Sequence, residues 1–208
     1  MKASVLALVL VAAGLAGVGC GGPSKTTVPP YPGHLLAPAE VRPDFMLRQR
    51  LQARYREEEA AFDAVLQKHG EEVVLLGLAP YGGRAFVLTQ RGARFETEKF
   101  VPMRLPFPPR HILNDVHRVF FRGSGLVERR ADGRHAFEEH GERVVEVWRE
   151  GRLRTRTFER LDGEPPGRIR IDYEGRVPEG GVAAPRIVVR NGWFGYELRI
   201  ENVEQRTL

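Results

Sequence analysis

The side chains best suited to chemistry in this sequence are six histidines and one serine that lies between two glycines. Ser124 does not fit a Gly-x-Ser-x-Gly nucleophile turn, because its glycines are adjacent instead of two residues away. His111 and His117 are too far apart to share one helix face, and His135 and His140 differ in strand parity. These spacings predict no metal site, no cofactor and no catalytic residue, so we expect a protein that is not an enzyme.

The chain has one cysteine, Cys20, which closes an apolar N-terminal segment. A short positive end at Met1 and Lys2 precedes an apolar run over residues 5–16, and small residues follow up to residue 19. This order is typical of a secretory signal, and the run is shorter than a bilayer-spanning helix of about 20 residues. We therefore predict a signal peptide over residues 1–19.

The tetrapeptide Gly17-Val18-Gly19-Cys20 resembles the end of a bacterial lipoprotein signal, although Gly17 stands where a leucine is usual. The resemblance implies that the Cys20 thiol is acylated and that Cys20 becomes the first residue of the mature protein. Gly21 in place of an aspartate implies the outer membrane, with the folded domain in the periplasm. The alternative is an ordinary secreted protein, but a lone free thiol is a liability in an oxidising compartment.

The charge pattern does not indicate a nucleic-acid partner. The chain has 32 basic and 27 acidic residues, for a formal net charge of +5. Arginines are spread from Arg42 to Arg206 with carboxylates between them, whereas a nucleic-acid-binding protein clusters them on one face.

The region after the signal is rich in proline and glycine over residues 21–44. Together with the acylated cysteine it predicts a flexible tether over residues 20–44, with a fully extended reach of roughly 80 Å. The segment 34–38 has the apolar character to dock on the domain. Residues 45–208 are enough for a single domain with a substantial core.

Apolar and charged residues alternate with period two through most of that domain. Leu51, Ala53 and Tyr55 share one parity, and arginines take the other, which predicts a strand with one buried face. Arg152, Arg154 and Arg156 are predicted to face outward by the same rule, as are most carboxylates. About ten or eleven such strands, separated by glycine-bearing turns, predict a mainly β fold in the form of an antiparallel meander.

One segment, residues 108–121, follows a helical period instead. Its apolar stripe consists of Ile112, Leu113, Val116, Val119 and Phe120. Prolines mark its start and glycines its end, and Asn114 and Asp115 are predicted on its solvated side. A helix with one apolar face needs an apolar surface to cover, and the concave side of a curved sheet provides one.

Residues 62–90 and 105–121, together with the signal and the tether, resemble an uncharacterised family of proteobacterial lipoproteins related to the LolA/LolB superfamily. That superfamily comprises outer-membrane lipoprotein carriers and receptors. The resemblance implies an incomplete antiparallel β-barrel covered by one or more α-helices, with acyl chains held in its apolar concave face. It also implies binding of a lipid or acyl chain and help in lipid or lipoprotein transfer and localisation.

Burial of each acyl methylene stabilises by about 0.8 kcal/mol, so an acyl chain that crosses water must be enclosed in an apolar cavity. The predicted cavity residues are the inward apolar positions of the strands and the helix: Leu51, Tyr55, Phe62, Leu66, Phe86, Leu88, Ile112, Val116, Phe120, Trp148, Ile171, Tyr196 and Leu198. A non-enzymatic structural or assembly-accessory lipoprotein would have the same pattern with a filled core. A secreted enzyme would need a polar cluster in a cleft, which the pattern does not indicate.

The turn over residues 78–83 places Pro80 and Tyr81 at its tip. The resemblance implies that this loop contacts the membrane, and a tyrosine suits an interface because its ring is apolar and its hydroxyl can stay wet. A ring folded back onto the barrel rim is the alternative. The expected partners are a lipid or acylated ligand, the membrane and a periplasmic carrier protein, and we expect a monomer.

Overall fold

A computed structural model describes residues 31–80, 82–101, 109–123 and 129–208. Its strands are β1 Phe45–Tyr55, β2 Glu58–His69, β3 Glu72–Leu78, β4 Arg84–Arg91, β5 Arg94–Lys99, β6 Gly133–Glu139, β7 Glu142–Arg149, β8 Arg152–Arg160, β9 Arg168–Glu174, β10 Arg186–Asn191 and β11 Tyr196–Thr207. A short 3₁₀ helix, Pro38–Glu40, precedes β1. Helix α1, Pro109–Val116, continues into a π-helical turn, His117–Phe121.

All the strands form one antiparallel sheet in the order β5-β4-β3-β2-β1-β11-β10-β9-β8-β7-β6. Neighbours in sequence are neighbours in space, except that the first strand pairs with the last and joins the two halves. The sheet ends at β5 and β6 and is not closed. This architecture confirms the predicted mainly β fold, an incomplete antiparallel barrel with a covering helix.

The predicted alternation holds along β1, where Leu47 and Leu51 are buried and Arg48 and Arg50 are exposed. Strand β8 departs from it, because Arg156 is fully buried. The outward placement of Arg156 was therefore wrong. A carboxylate on the neighbouring strand pairs with its guanidinium inside the protein, and this contact is long-range and invisible to a local pattern.

The predicted helix is present and runs to Phe121, after which Gly123 takes a φ of +65°. Asn114 and Asp115 are buried, so their predicted place on a solvated side was wrong. The reason is that residues 31–36 lie across that side of the helix, with Tyr31 itself in the core. No helix within the described ranges is long and apolar enough to cross a membrane.

Candidate functional site

The concave face of the sheet carries the apolar residues that the sequence predicted for a cavity. Most of them are buried: Leu51, Leu66, Phe86, Leu88, Val116, Phe120, Trp148, Ile171 and Tyr196. The remaining members are half-buried: Tyr55, Phe62, Ile112 and Leu198. The structure therefore brings these residues onto the inner surfaces of the sheet and the helix, and ligand binding by them stays a prediction.

At one end of the concave face, here called the open end, the inward apolar side chains are only half-buried. Phe62 and Leu198 flank β1 there, opposite Leu51 and Ala53 respectively. Both are half-buried and pack against the core, and the ring of Phe62 meets that of Phe86 edge-on with centroids 6.2 Å apart. An apolar chain entering from this end would first meet these side chains.

The helical segment is held in the concave face by buried ion pairs as well as by apolar contacts. Glu142 at the start of β7 accepts from Arg118 Nη2 at 2.7 Å and from Arg122 Nη1 at 2.6 Å. All three side chains are almost fully buried. Arg122 also donates to Glu139 at 3.0 Å. Each charge is thus compensated inside the protein, which burial of charged groups requires.

A third buried arginine, Arg156, donates to the backbone where the helix widens into its π-helical turn. Arg156 Nη1 donates to the carbonyl oxygen of Arg118 at 3.0 Å, and its Nε donates to Glu146 at 2.8 Å. The hydroxyl of Tyr173 donates to the carbonyl oxygen of Val119 at 2.9 Å. Burial raises the pKa of Tyr173 to about 12, so its hydroxyl stays a donor.

Asp115 is at the centre of a buried hydrogen-bond cluster. Tyr31 and Tyr196 donate their hydroxyls to its two carboxyl oxygens, and the amide of Asn191 donates to both tyrosine oxygens at 2.7 and 2.9 Å. Burial raises the pKa of Asp115 to about 7, against the opposing effects of Arg118 and the Tyr31 hydrogen bond. This carboxyl therefore changes charge near neutral pH in the folded protein.

We expect Asp115→Asn to flatten the pH dependence of stability. Because the folded protein holds the Asp115 proton more tightly than the unfolded chain, wild-type stability is lost as the pH rises from about 4 to about 7. Between pH 5 and pH 8 the variant should gain about 2–3 kcal/mol relative to wild type. Urea unfolding of both proteins at pH 5 and at pH 8 measures this change. If the variant and wild type differ in free energy of unfolding by the same amount at both pH values, the prediction is contradicted.

His117 is a buried neutral histidine that joins the helix to two other elements. Its Nδ1 accepts the Leu36 amide at 3.1 Å, so Nε2 carries the proton and donates to Gln90 Oε1 at 2.7 Å. Burial, with a smaller effect of Arg122, lowers the pKa of His117 to about 3. His117 is thus suited to a fixed structural contact and not to proton transfer near neutral pH.

Glu142 and Glu146 face inward and are fully buried, although the sequence pattern placed most carboxylates on outward strand positions. Their strand parity carried the signal, since both share it with Trp148, which was placed on the concave face. From parity alone either face of β7 could be the buried one, because Val145 and Val147 lie on the face opposite to Glu142 and Glu146. The ambiguity is resolved only in three dimensions, where Glu142 pairs with arginines of the helix and Glu146 pairs with Arg156 of β8.

Two predicted site residues lie outside the described residues, namely Cys20 and Tyr81. Pro80, beside Tyr81 in the turn after β3, is exposed. Within the part of the chain that the structure describes, no group of three or more histidine, cysteine or acidic residues is arranged to hold a metal ion.

Several solved structures have a similar fold, among them the following two. A LolA superfamily protein from Nitrosomonas europaea matches at a TM-score of 0.50 and 14% identity, over 83% of this chain and 90% of that one. A domain described as an outer membrane lipoprotein-sorting protein domain, from Vibrio parahaemolyticus, matches at a TM-score of 0.50 and 9% identity, over 81% of this chain and 88% of that one. At these identities the likeness establishes a LolA-like fold.

The sequence comparisons point to one family. No curated protein matches this chain. A family model described as a protein of unknown function, DUF3261, matches residues 46–204, which include nearly all of the sheet and the whole helical segment. The chain therefore belongs to the DUF3261 family, with a fold similar to that of the LolA superfamily.

Proposed function

We propose that this chain is a lipoprotein anchored to the outer membrane, with its domain in the periplasm. In this proposal the domain binds a lipid or acyl chain in its apolar concave face and assists lipid or lipoprotein transfer and localisation, without catalysis. The observation that carries it is the apolar inner face of a sheet that does not close, with the helical segment 109–121 packed over it. A covering helix of this kind can be displaced without breaking the strand ladder.

The energetics of an acyl chain support this role. A chain of about a dozen methylenes gains about 10 kcal/mol when it leaves water. The half-buried Phe62 and Leu198 give it an apolar entry, and Leu66 and Leu88 extend the apolar surface inward. The buried polar groups of the helix can exchange their partners for water if the helix moves, which lowers the free energy needed to open the interior.

A second candidate is a structural or assembly-accessory lipoprotein with a filled core. One observation favours it: Leu66, Leu88 and Ile171 are fully covered by protein atoms in this state of the molecule. The two candidates differ in whether the interior opens for a ligand, and this can be measured directly.

The test is native mass spectrometry of residues 20–208, exported to the periplasm with the lipoprotein signal replaced by an ordinary one and purified without detergent. We expect an additional mass that corresponds to an acyl-bearing molecule. Leu198→Glu, at the open end, should remove it, whereas the matched change Val203→Glu on an exposed position of the same strand should not. Folded wild-type protein that never carries such a mass, even after incubation with phospholipid, would favour the filled core.

Anchoring by Cys20 is tested separately. Cys20→Ser removes the thiol that would receive the lipid, so we expect the protein to lose acylation and to be either uncleaved or released from the membrane. Intact mass and membrane fractionation together measure this outcome. A Cys20→Ser protein of wild-type mass that still fractionates with membranes would contradict the anchor.

The turn with Pro80 and Tyr81 completes the proposal as a membrane-contacting loop. Because neighbouring strands are antiparallel, the turn between β3 and β4 lies at the same end of the sheet as the turn between β1 and β2. Phe62 and Leu198 are near that end as well. A loop that touches the bilayer there would bring the apolar entry close to the lipid source. A periplasmic carrier is the proposed protein partner, and the domain acts as a monomer.

A further inference from the structure

The segment Tyr31–Leu36, here called the strap, lies across the helix and binds it at several points. Tyr31 donates to Asp115, and the Leu36 amide donates to His117. The carbonyl oxygen of Pro32 accepts from Arg118 Nη2 at 2.5 Å. Gln90 Nε2 fixes the far end of the strap by donating to the Leu36 carbonyl at 2.9 Å. The strap thus covers the polar side of the helix, where Asp115 and Arg118 lie.

Directly under the strap are polar groups that it leaves unused. Both side-chain atoms of Asn114, and Nε and Nη1 of Arg118, are buried without a hydrogen-bond partner. Nη1 of Arg118 is 4.0 Å from the Asp115 carboxyl, beyond hydrogen-bond distance. Gly33 is pressed against this pair, since a Cβ there would lie 2.8 Å from both Arg118 Nη2 and Asn114 Oδ1. Buried polar groups without partners destabilise the covered state.

We propose that Asn114 and Arg118 form a binding site for the carbonyl oxygens of an acyl-bearing ligand, and that the strap occupies this site when no ligand is bound. The inference deepens the proposed function and rests on it. The Pro32 carbonyl stands in for the ligand, because it makes the contact that an ester or amide carbonyl would make. Displacing the strap would free every unused donor of Arg118 and the amide of Asn114 for the polar end of the ligand.

The charges around the site favour a neutral acceptor over a phosphate. Arg118 already donates to Glu142 at 2.7 Å, and the Asp115 carboxyl lies nearby. An anion would be repelled by the Glu142 carboxylate, and by Asp115 when that group is ionised, whereas a carbonyl oxygen is accepted without adding charge. The ring centroids of Trp193 and Phe158 lie 4.8 and 5.7 Å from the guanidinium carbon of Arg118, so an acyl chain joined to that carbonyl has apolar surface beside the site.

The test measures binding of three probes to residues 20–208 by calorimetry. Dihexanoyl phosphatidylcholine carries two ester carbonyls, and its dihexyl ether analogue has the same head group and chain length without them. An N-octanoyl dipeptide carries an amide carbonyl, which distinguishes acylated polypeptides from ester lipids as the source. We expect wild type to bind the preferred carbonyl probe on the order of tenfold more tightly than the ether.

Asn114→Leu separates a binding role from a structural one. It replaces an unpartnered buried amide by an apolar group of similar size, so the melting temperature should rise. The ratio of carbonyl-probe affinity to ether affinity should fall toward one, while the affinity for the ether stays the same. A lower melting temperature with an unchanged preference would overturn the proposal.

Tyr31→Phe tests the competition by the strap. It removes the strap hydroxyl that bonds Asp115, so carbonyl-probe affinity should rise roughly tenfold. The matched control Tyr173→Phe removes a buried hydroxyl bond to the helix that does not involve the strap, and it should leave the ratio of carbonyl-probe affinity to ether affinity unchanged. Equal affinity for ester, amide and ether probes in wild type would remove the carbonyl site but leave acyl binding intact. If no probe binds any of the proteins, the proposed function fails together with the site.

Discussion

Replacing Glu142 by glutamine is expected to lower the free energy of unfolding by about 3–5 kcal/mol. The carboxylate is 0% exposed and accepts from Arg118 and Arg122 on the helix at 2.7 and 2.6 Å. Glutamine keeps the shape of the side chain but removes the negative charge that compensates two buried guanidinium groups. Chemical unfolding at neutral pH measures the loss.

A matched control is Glu72→Gln, which removes one carboxylate of an exposed pair with Arg91 at 3.0 Å. Exposed pairs contribute about 0–1 kcal/mol, so this variant should remain close to wild type. Equal, small effects of the two changes would show that the helix arginines are compensated in another way and that Glu142 does not fix the helix.

The second large effect is expected from Val116→Asp. Val116 is 9% exposed and faces the core from the last turn of α1. A carboxylate placed there is taken out of water with no partner provided for it, so we expect a loss of several kcal/mol or displacement of the helix. Thermal unfolding measures the loss, and amide hydrogen exchange over residues 109–121 detects the displacement.

The control for Val116→Asp is the same change at Val203, which is 45% exposed on β11. That substitution should alter stability by no more than about 0.5 kcal/mol. Wild-type melting temperature and exchange protection in Val116→Asp would mean that the helix does not dock through this face, and would remove it from the proposed opening of the interior.

The sheet and the helix could be predicted from sequence because both depend on local periodicity. Residues such as Leu51, Leu66 and Leu88 follow period two, and their burial on one face is what the pattern predicts. The helical stripe through Val116 and Phe120 likewise marks the segment that covers the sheet. In each case the neighbours that matter are within a few residues along the chain.

The polar interior could not be predicted in the same way. Asp115 was assigned to a solvated side because it lies opposite the apolar stripe, yet Tyr31, 84 residues away, covers it. Arg156 was assigned outward because basic residues alternate along β8, yet Glu146 and the helix carbonyls satisfy it inside. The free energy that permits burial of these charges comes from partners distant in sequence, which no local pattern contains.

The pairing of the first strand with the last has a consequence for how the chain folds. Gln49 of β1 bonds Asn202 of β11, and 153 residues separate them in sequence. The centre of the sheet therefore cannot form until almost the whole chain has been synthesised, whereas hairpins such as β3–β4 and β6–β7 can form early. High contact order slows folding, so the edge of β1 that pairs with β11 stays uncovered until the last strand has been made, longer than any other edge that the finished sheet pairs. A chain of this topology needs protection from aggregation at strand β1 until strand β11 has been made.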